Sequence, residues 1–247
     1  MNRSRALPAL LLCATAVAAC GSDDTATASF ESPADGATIA GGVRMTMAAE
    51  GITIEEAGEA RDGAGHFHVI ADEACTATGE TIGKDADHVH FGKAQAEGVI
   101  YLEPGSHDLC LQVGDGVHTA LGVTDTITID VGITTRDDWC VVVGETDELF
   151  EAVDTSSDDF ATKQIGYENV NRLVLQLIDG LAVVDPDAHD DVQTAMEFAS
   201  DIATAFTTAD SLDEAERALE PVFEAVYDGE LPGADWIRDT CDVNIDA

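Results

Sequence analysis

Six of the seven histidines in this chain lie between residues 66 and 118, and four of them form two His-x-His pairs, His66/His68 and His88/His90. His107 follows a Pro-Gly turn and His118 closes the stretch Asp115-Gly-Val-His118. A strand sends alternate side chains to one face, so each pair would aim two imidazoles in one direction. Two such strands side by side would bring four imidazoles within reach of one ion. Imidazole suits zinc, copper, nickel and iron, so the chemistry this cluster offers is transition-metal binding, with copper or zinc as the expected ion. The candidate ligands are His66, His68, His88, His90, His107 and His118; His189 lies far along the chain and is left out.

The flanking residues indicate how the histidines should face. Phe67, Val69 and Ala71 alternate with His66, His68 and Ile70, while Val89 and Phe91 alternate with His88 and His90. If the apolar set enters a core, the histidines turn outward onto a surface or cleft. His107 is in register with Leu109, Leu111 and Val113, which puts it inward or at a sheet rim. The competing reading is that these imidazoles only bond turns and carboxylates such as Asp72, Asp108 and Asp115. Six in so short a span favours the metal, and the same carboxylates could then fix imidazole tautomers. Met45 and Met47 share a strand face and could offer thioethers to Cu(I), although core packing is the simpler role. A metalloenzyme would need a general base such as Glu97 and an open coordination position. The order His-x-His, Glu97, His107 follows that of cupins, but the spacing is compressed. No G-x-S-x-G and no phosphate-binding glycine loop occur. The reading is therefore a binding protein rather than an enzyme.

The elements that must position these residues change character near residue 135. Before it, short alternating or β-branched stretches are separated by Gly, Pro and Asp turns: 29–31, 43–47, 66–71, 88–91, 99–102, 109–113 and 126–131. About seven such strands predict an all-β, immunoglobulin-like antiparallel sandwich over residues 29–134. After it, apolar residues recur at helical spacing. Ile165 to Leu181 form one stripe ended by Asp185-Pro186, and Val192 to Phe206 form another. A third helix should open at the capping box Ser211-x-x-Glu214, contain Pro221 and stop at Gly229. With a helix around 139–153, residues 135–247 predict an all-α bundle of four or five helices.

Residues 1–20 stand apart. Arg3 and Arg5 precede a short apolar run ending Val17-Ala18-Ala19-Cys20, the layout of a secretory signal too short to span a membrane. Its end resembles the lipobox of bacterial lipoproteins, which implies lipidation at Cys20, a tether over 21–28 and an extracytoplasmic protein held at the outer face of the cell membrane. Cys75, Cys110, Cys140 and Cys241 then remain, an even number for an oxidising compartment. The division near residue 135 pairs Cys75 with Cys110 and Cys140 with Cys241. The spacing of a cysteine zinc site is absent. Lysine and arginine number 11 against 49 acidic residues, a net charge of −38, which argues against a nucleic-acid partner.

The stretches SPADGA (32–37), EEAGE (55–59), GHFHVIAD (65–72), HFGKAQAE (90–97), LEPGSHDLCL (102–111) and DGVH (115–118) resemble a bacterial secreted family described as domain of unknown function 4399. The resemblance implies the extent of the first domain and carries His66, His68, His90, His107 and His118. The family's further histidine is Phe67 here. The helical half is similar, in its early Trp139-Cys140 and late Cys241, to small bundles of actinobacterial secreted lipoproteins. The alternative to a metal-binding protein is a structural or interaction protein of the envelope that recognises a protein partner.

Overall fold

Strand periodicity is clearest where one face meets a core. In β3 (Val43–Glu50) Val43, Met45 and Met47 are buried while Arg44 is exposed, and in β9 (Ala120–Val131) Ile127, Ile129 and Val131 share the inward face. The computed structural model describes residues 25–156, 159–185, 189–226 and 233–241. Residues 1–20 with the expected signal and Cys20, Pro186 and Gly229 lie outside the described residues.

The first half holds two sheets. β1 (Thr27–Ser32), β3 and β7 (Glu97–Ile100) form an antiparallel sheet in the order β1-β3-β7. The other sheet runs β2 (Thr38–Ile39), β9, β8 (Gly105–Gly114), β5 (Ala64–Ala71), β4 (Thr53–Ile54), with β6 (His88–Phe91) also paired to β5. The long pairings are antiparallel, but the two-residue strands β2 and β4 join β9 and β5 in parallel. The region is thus a mixed pair of sheets of three and six strands rather than a purely antiparallel array. A single core between them takes Met45 and Met47 from one sheet and Phe67, Val69, Phe91, Leu111 and Ile129 from the other.

All eight residues of β5 are buried, so its second face is covered as well. The connection between β5 and β6 folds back over that face. Gly79 N donates to Ala120 O, Ala120 N to Glu80 O and Ile82 N to His118 O. Ile82 then packs with Ile70, Cys110 and Ala120 in a small second core, and the Cys75–Cys110 disulfide fastens the strap to β8.

The strands end at Val131 and α1 (Arg136–Asp154) begins at a capping box, where Thr135 accepts from Asp138 N and Asp138 accepts from Thr135 N. α2 (Phe160–Val184), α3 (His189–Thr208), α4 (Leu212–Val226) and α5 (Ala234–Cys241) follow. At the start of α4 the Glu214 carboxylate accepts from Asp210 N, one residue before the expected Ser211 cap. Pro221 lies inside α4. Trp139, fully buried among Leu173, Leu177 and Ile237, donates its ring N–H to Leu177 O at 3.0 Å. Cys140–Cys241 closes the bundle from α1 to α5. Among the described residues no helix is long and apolar enough to cross a membrane.

The bundle docks on the sheets through polar groups. Gln176 of α2, fully buried, accepts from Gly41 N and donates to the carbonyls of Gly41 and Leu102. Glu145 of α1 accepts from Gly42 N and pairs with Arg44.

Candidate metal centre

Strand register brings the histidines together. His66 and His68 alternate along β5, and His68 is directly opposite His90 on β6. Directly opposed residues on an antiparallel pair point to the same face, so three imidazoles share the face under the strap. The fourth comes from the β8–β9 hairpin. Its turn is tied by Asp115, whose carboxylate accepts from Val117 N and Thr119 N and whose carbonyl accepts from His118 N. His118 sits at φ +70°, a left-handed conformation costing a non-glycine residue on the order of 1–3 kcal/mol. That strain is held where the turn aims an imidazole at the cluster.

One ring nitrogen from each of His66, His68, His90 and His118 lies within 4.8 Å of every other. The Nε2 atoms of His66 and His68 are 2.9 Å apart, and those of His90 and His118 are 3.1 Å apart. Imidazole nitrogens about 2.0–2.1 Å from a tetrahedral ion would be separated by roughly 3.3 Å. The two close pairs fall just inside that spacing, and the wider separations, within 4.8 Å, would have to shorten for one ion to take all four nitrogens.

The environment favours the ligating form. His66 and His68 are wholly buried. Burial first, then repulsion from the neighbouring imidazoles, holds His66 down at about 4 and His68 at about 3. Asp115 opposes this slightly at His66. His90 is lowered by burial, then by His118 and Lys84. At neutral pH His66, His68 and His90 are therefore uncharged, as ligands must be. Among the described residues, the buried Nδ1 atoms of His66 and His68 have no hydrogen-bond partner, and neither amide atom of Gln112 has one. Gln112 is buried and in direct register with His68 on the side away from His90. Orphaned buried polar atoms cost about 1–3 kcal/mol each. Their concentration here marks a polar chamber shaped for something other than the fold's own bonds.

Glycines let the chamber close. A Cβ on Gly92 would stand 2.1 Å from the His90 ring, and one on Gly114 would stand 3.0 Å from His68 Nε2. The Glu55–Glu59 segment braces both ligand-bearing loops, since Ala57 N donates to Gly92 O and Gly58 N to Gly116 O.

Two of the six expected ligands are elsewhere. His88 bonds Asp85 at 2.9 Å and faces Glu73 at 3.8 Å. His107 is held between Asp72 (2.7 Å) and the Glu103 carbonyl (2.8 Å). It lies near the start of the β8–β9 pairing while Gly114 ends it, roughly 20 Å away by strand rise. The expectation that His66 and His68 face a surface or cleft is also corrected, because the strap covers their face. Met45 and Met47 belong to the core between the sheets. Glu97 is exposed on β7, paired with Thr46 in the other sheet. Gln112 was not foreseen. A lone amide inside the apolar run Leu109-Cys-Leu-Gln-Val113 was the available signal.

Residues 45–132 match the family model described as Domain of unknown function (DUF4399). The match takes in all four clustered histidines and the Glu55–Glu59 brace, while SPADGA precedes it. Comparison with curated proteins and with solved structures gave no match.

Proposed function

We propose that the strand half, a domain of that family, serves as a transition-metal-binding module for copper or zinc, with His66, His68, His90 and His118 as ligands. The observation that carries this reading is the convergence of four imidazole nitrogens, two of them on wholly buried side chains. Four imidazole nitrogen donors without thiolate or carboxylate match borderline ions. Four imidazole donors would leave a tetrahedral ion no open position for a substrate, so the module is read as non-catalytic. We take the strand half as an immunoglobulin-like sandwich over 29–134 and the bundle over 135–247 as a second domain. Two disulfides indicate an oxidising, extracytoplasmic setting, and the lipobox-like end of the signal assigns a lipid anchor at Cys20.

The second reading, structural histidines in an envelope interaction protein, is favoured by the His66–His68 and His90–His118 contacts, which allow the rings to bond one another. Calorimetry of chelator-washed protein with Cu²⁺ and Zn²⁺ at high ionic strength separates the two. High salt suppresses loose binding to the acidic surface. One equivalent should bind, be lost in His66→Ala/His68→Ala and persist in His88→Ala/His107→Ala. No binding by the wild type, or equal binding by the first double variant, leaves the structural reading in place.

A further inference from the structure

We propose that the helical half positions the His90 ligand through Arg172, so that the bundle sets the affinity of the metal centre. The proposal rests on the metal reading. It starts from a weakness in the strand half: β6 is four residues long and, among the described residues, pairs only with β5. A short edge strand with one neighbour is among the first elements to fray. Yet β6 carries His90, and an imidazole displaced by about 1 Å loses its place in the coordination sphere.

The segment leading into β6 is held from two directions. From within, Asp85 accepts from the backbone N–H groups of Asp87 and His88 and bonds the His88 ring. From outside comes Arg172 of α2, which is 7% exposed. Its Nη2 donates to Asp87 at 2.8 Å and to Glu168 at 3.1 Å, and its Nη1 donates to the carbonyls of Tyr101 at 2.9 Å and Ala86 at 3.4 Å. Asp87 in turn accepts from Ala71 N at the end of β5. One guanidinium therefore joins α2, the approach to β6 and the segment after β7. A planar guanidinium presents five donors in a fixed fork, and a lysine cannot reproduce that.

Gln176 supplies the internal contrast. It is on the same helix, also buried and also bonded to the strand half, but its partners are Gly41 and Leu102, on neither metal-bearing strand. If Arg172 only glued the halves together, losing either residue would act alike. If Arg172 is a positioning residue for His90, only its loss reaches the metal.

The test compares Arg172→Met, Gln176→Leu and His90→Ala in the full chain, by chelator competition with Zn²⁺ and by the absorption spectrum of the Cu²⁺-loaded form. Arg172→Met should weaken binding about tenfold or more, the range typical for residues supporting metal ligands. Its copper spectrum should move toward that of His90→Ala. Gln176→Leu should stay within about twofold of wild type. Equal affinity in Arg172→Met and wild type, or equal loss in both α2 variants, overturns the proposal. Should Arg172→Met fail to fold, Asp87→Asn decides: several-fold weaker binding supports the proposal and unchanged binding overturns it. A wild type that takes no metal defeats the metal reading alone. Amide exchange then tests the coupling itself, with faster exchange in His88–Phe91 expected for Arg172→Met and not for Gln176→Leu.

Discussion

His68 stands directly opposite His90 across the β5–β6 pair, with ring centroids 5.1 Å apart. The same histidine is opposite Gln112 across the β5–β8 pair. β5 therefore lies in the middle of the sheet with a ligand on one flank and a buried, unpartnered amide on the other. The strap that covers this face buries His66 and His68, and that burial disfavours their protonated forms. Neutral nitrogen donors follow from packing.

Gly92→Ala tests how closely the chamber is built. The added Cβ would meet Cε1 and Nε2 of His90 at 2.1 and 2.3 Å, contacts that real side chains do not make. A ring can swing away more cheaply than backbone can move, so the protein should fold with His90 displaced. Metal affinity should fall at least tenfold while thermal stability without metal changes little. Unaltered affinity would mean that His90 is not a ligand.

Stability without metal should decline as pH falls below about 6.5, the ordinary histidine value in an unfolded chain. His66 and His68 have their folded values depressed to about 4 and about 3. Above 6.5 neither state binds these protons. Below it the unfolded chain does and the folded chain does not, so stability is lost as pH falls toward the folded values. Melting temperature should drop between pH 6.5 and 5, before the carboxylates titrate. The slope should flatten in His66→Gln/His68→Gln. A flat wild-type profile over that window would contradict the burial of these neutral imidazoles.

Gln112→Leu should stabilise the metal-free protein by about 1–3 kcal/mol, because a buried amide with both atoms unpaired is replaced by an apolar group of similar size. The same change should weaken metal binding if the amide supports a loaded ligand. Denaturant titration with and without Zn²⁺ reads both effects. Destabilisation of the metal-free form would show that Gln112 has partners in solution.

The strap should open on reduction of Cys75–Cys110. That bond pins the segment whose Ile82 covers Ile70 and whose backbone pairs with the His118 turn. Cys75→Ser/Cys110→Ser should raise amide exchange at Gly79 to Ile82 and speed metal release. Cys140→Ser/Cys241→Ser, which cuts a bridge spanning 101 residues in the bundle, should cost about 2–5 kcal/mol with a smaller effect on release rate. Indistinguishable release rates in the two variants would remove the strap's role as a cover.

Much of this arrangement is local and was legible in the residues. Two-residue alternation puts His66 with His68 and Phe67 with Val69 whatever the rest of the chain does. Helical stripes, the Thr135 cap ahead of Arg136 and the even cysteine number depend likewise on short spacings. The change of character near residue 135 follows from them, and the Cys75–Cys110 and Cys140–Cys241 pairings follow from that change. Which four histidines meet was decided by contacts between distant segments. His88 lies on the same strand as His90 but turns to Asp85, and His107 is carried to the far end of β8 by the register with β9. Whether the histidine face is wet or dry depends on the fold-back of residues 75–82, because alternation assigns residues to faces but says nothing of what will cover each face. The sheets' mixed pairing and the grip of Arg172 on the approach to β6 are likewise tertiary, since each joins groups separated by a long stretch of chain through hydrogen bonds that no local periodicity encodes.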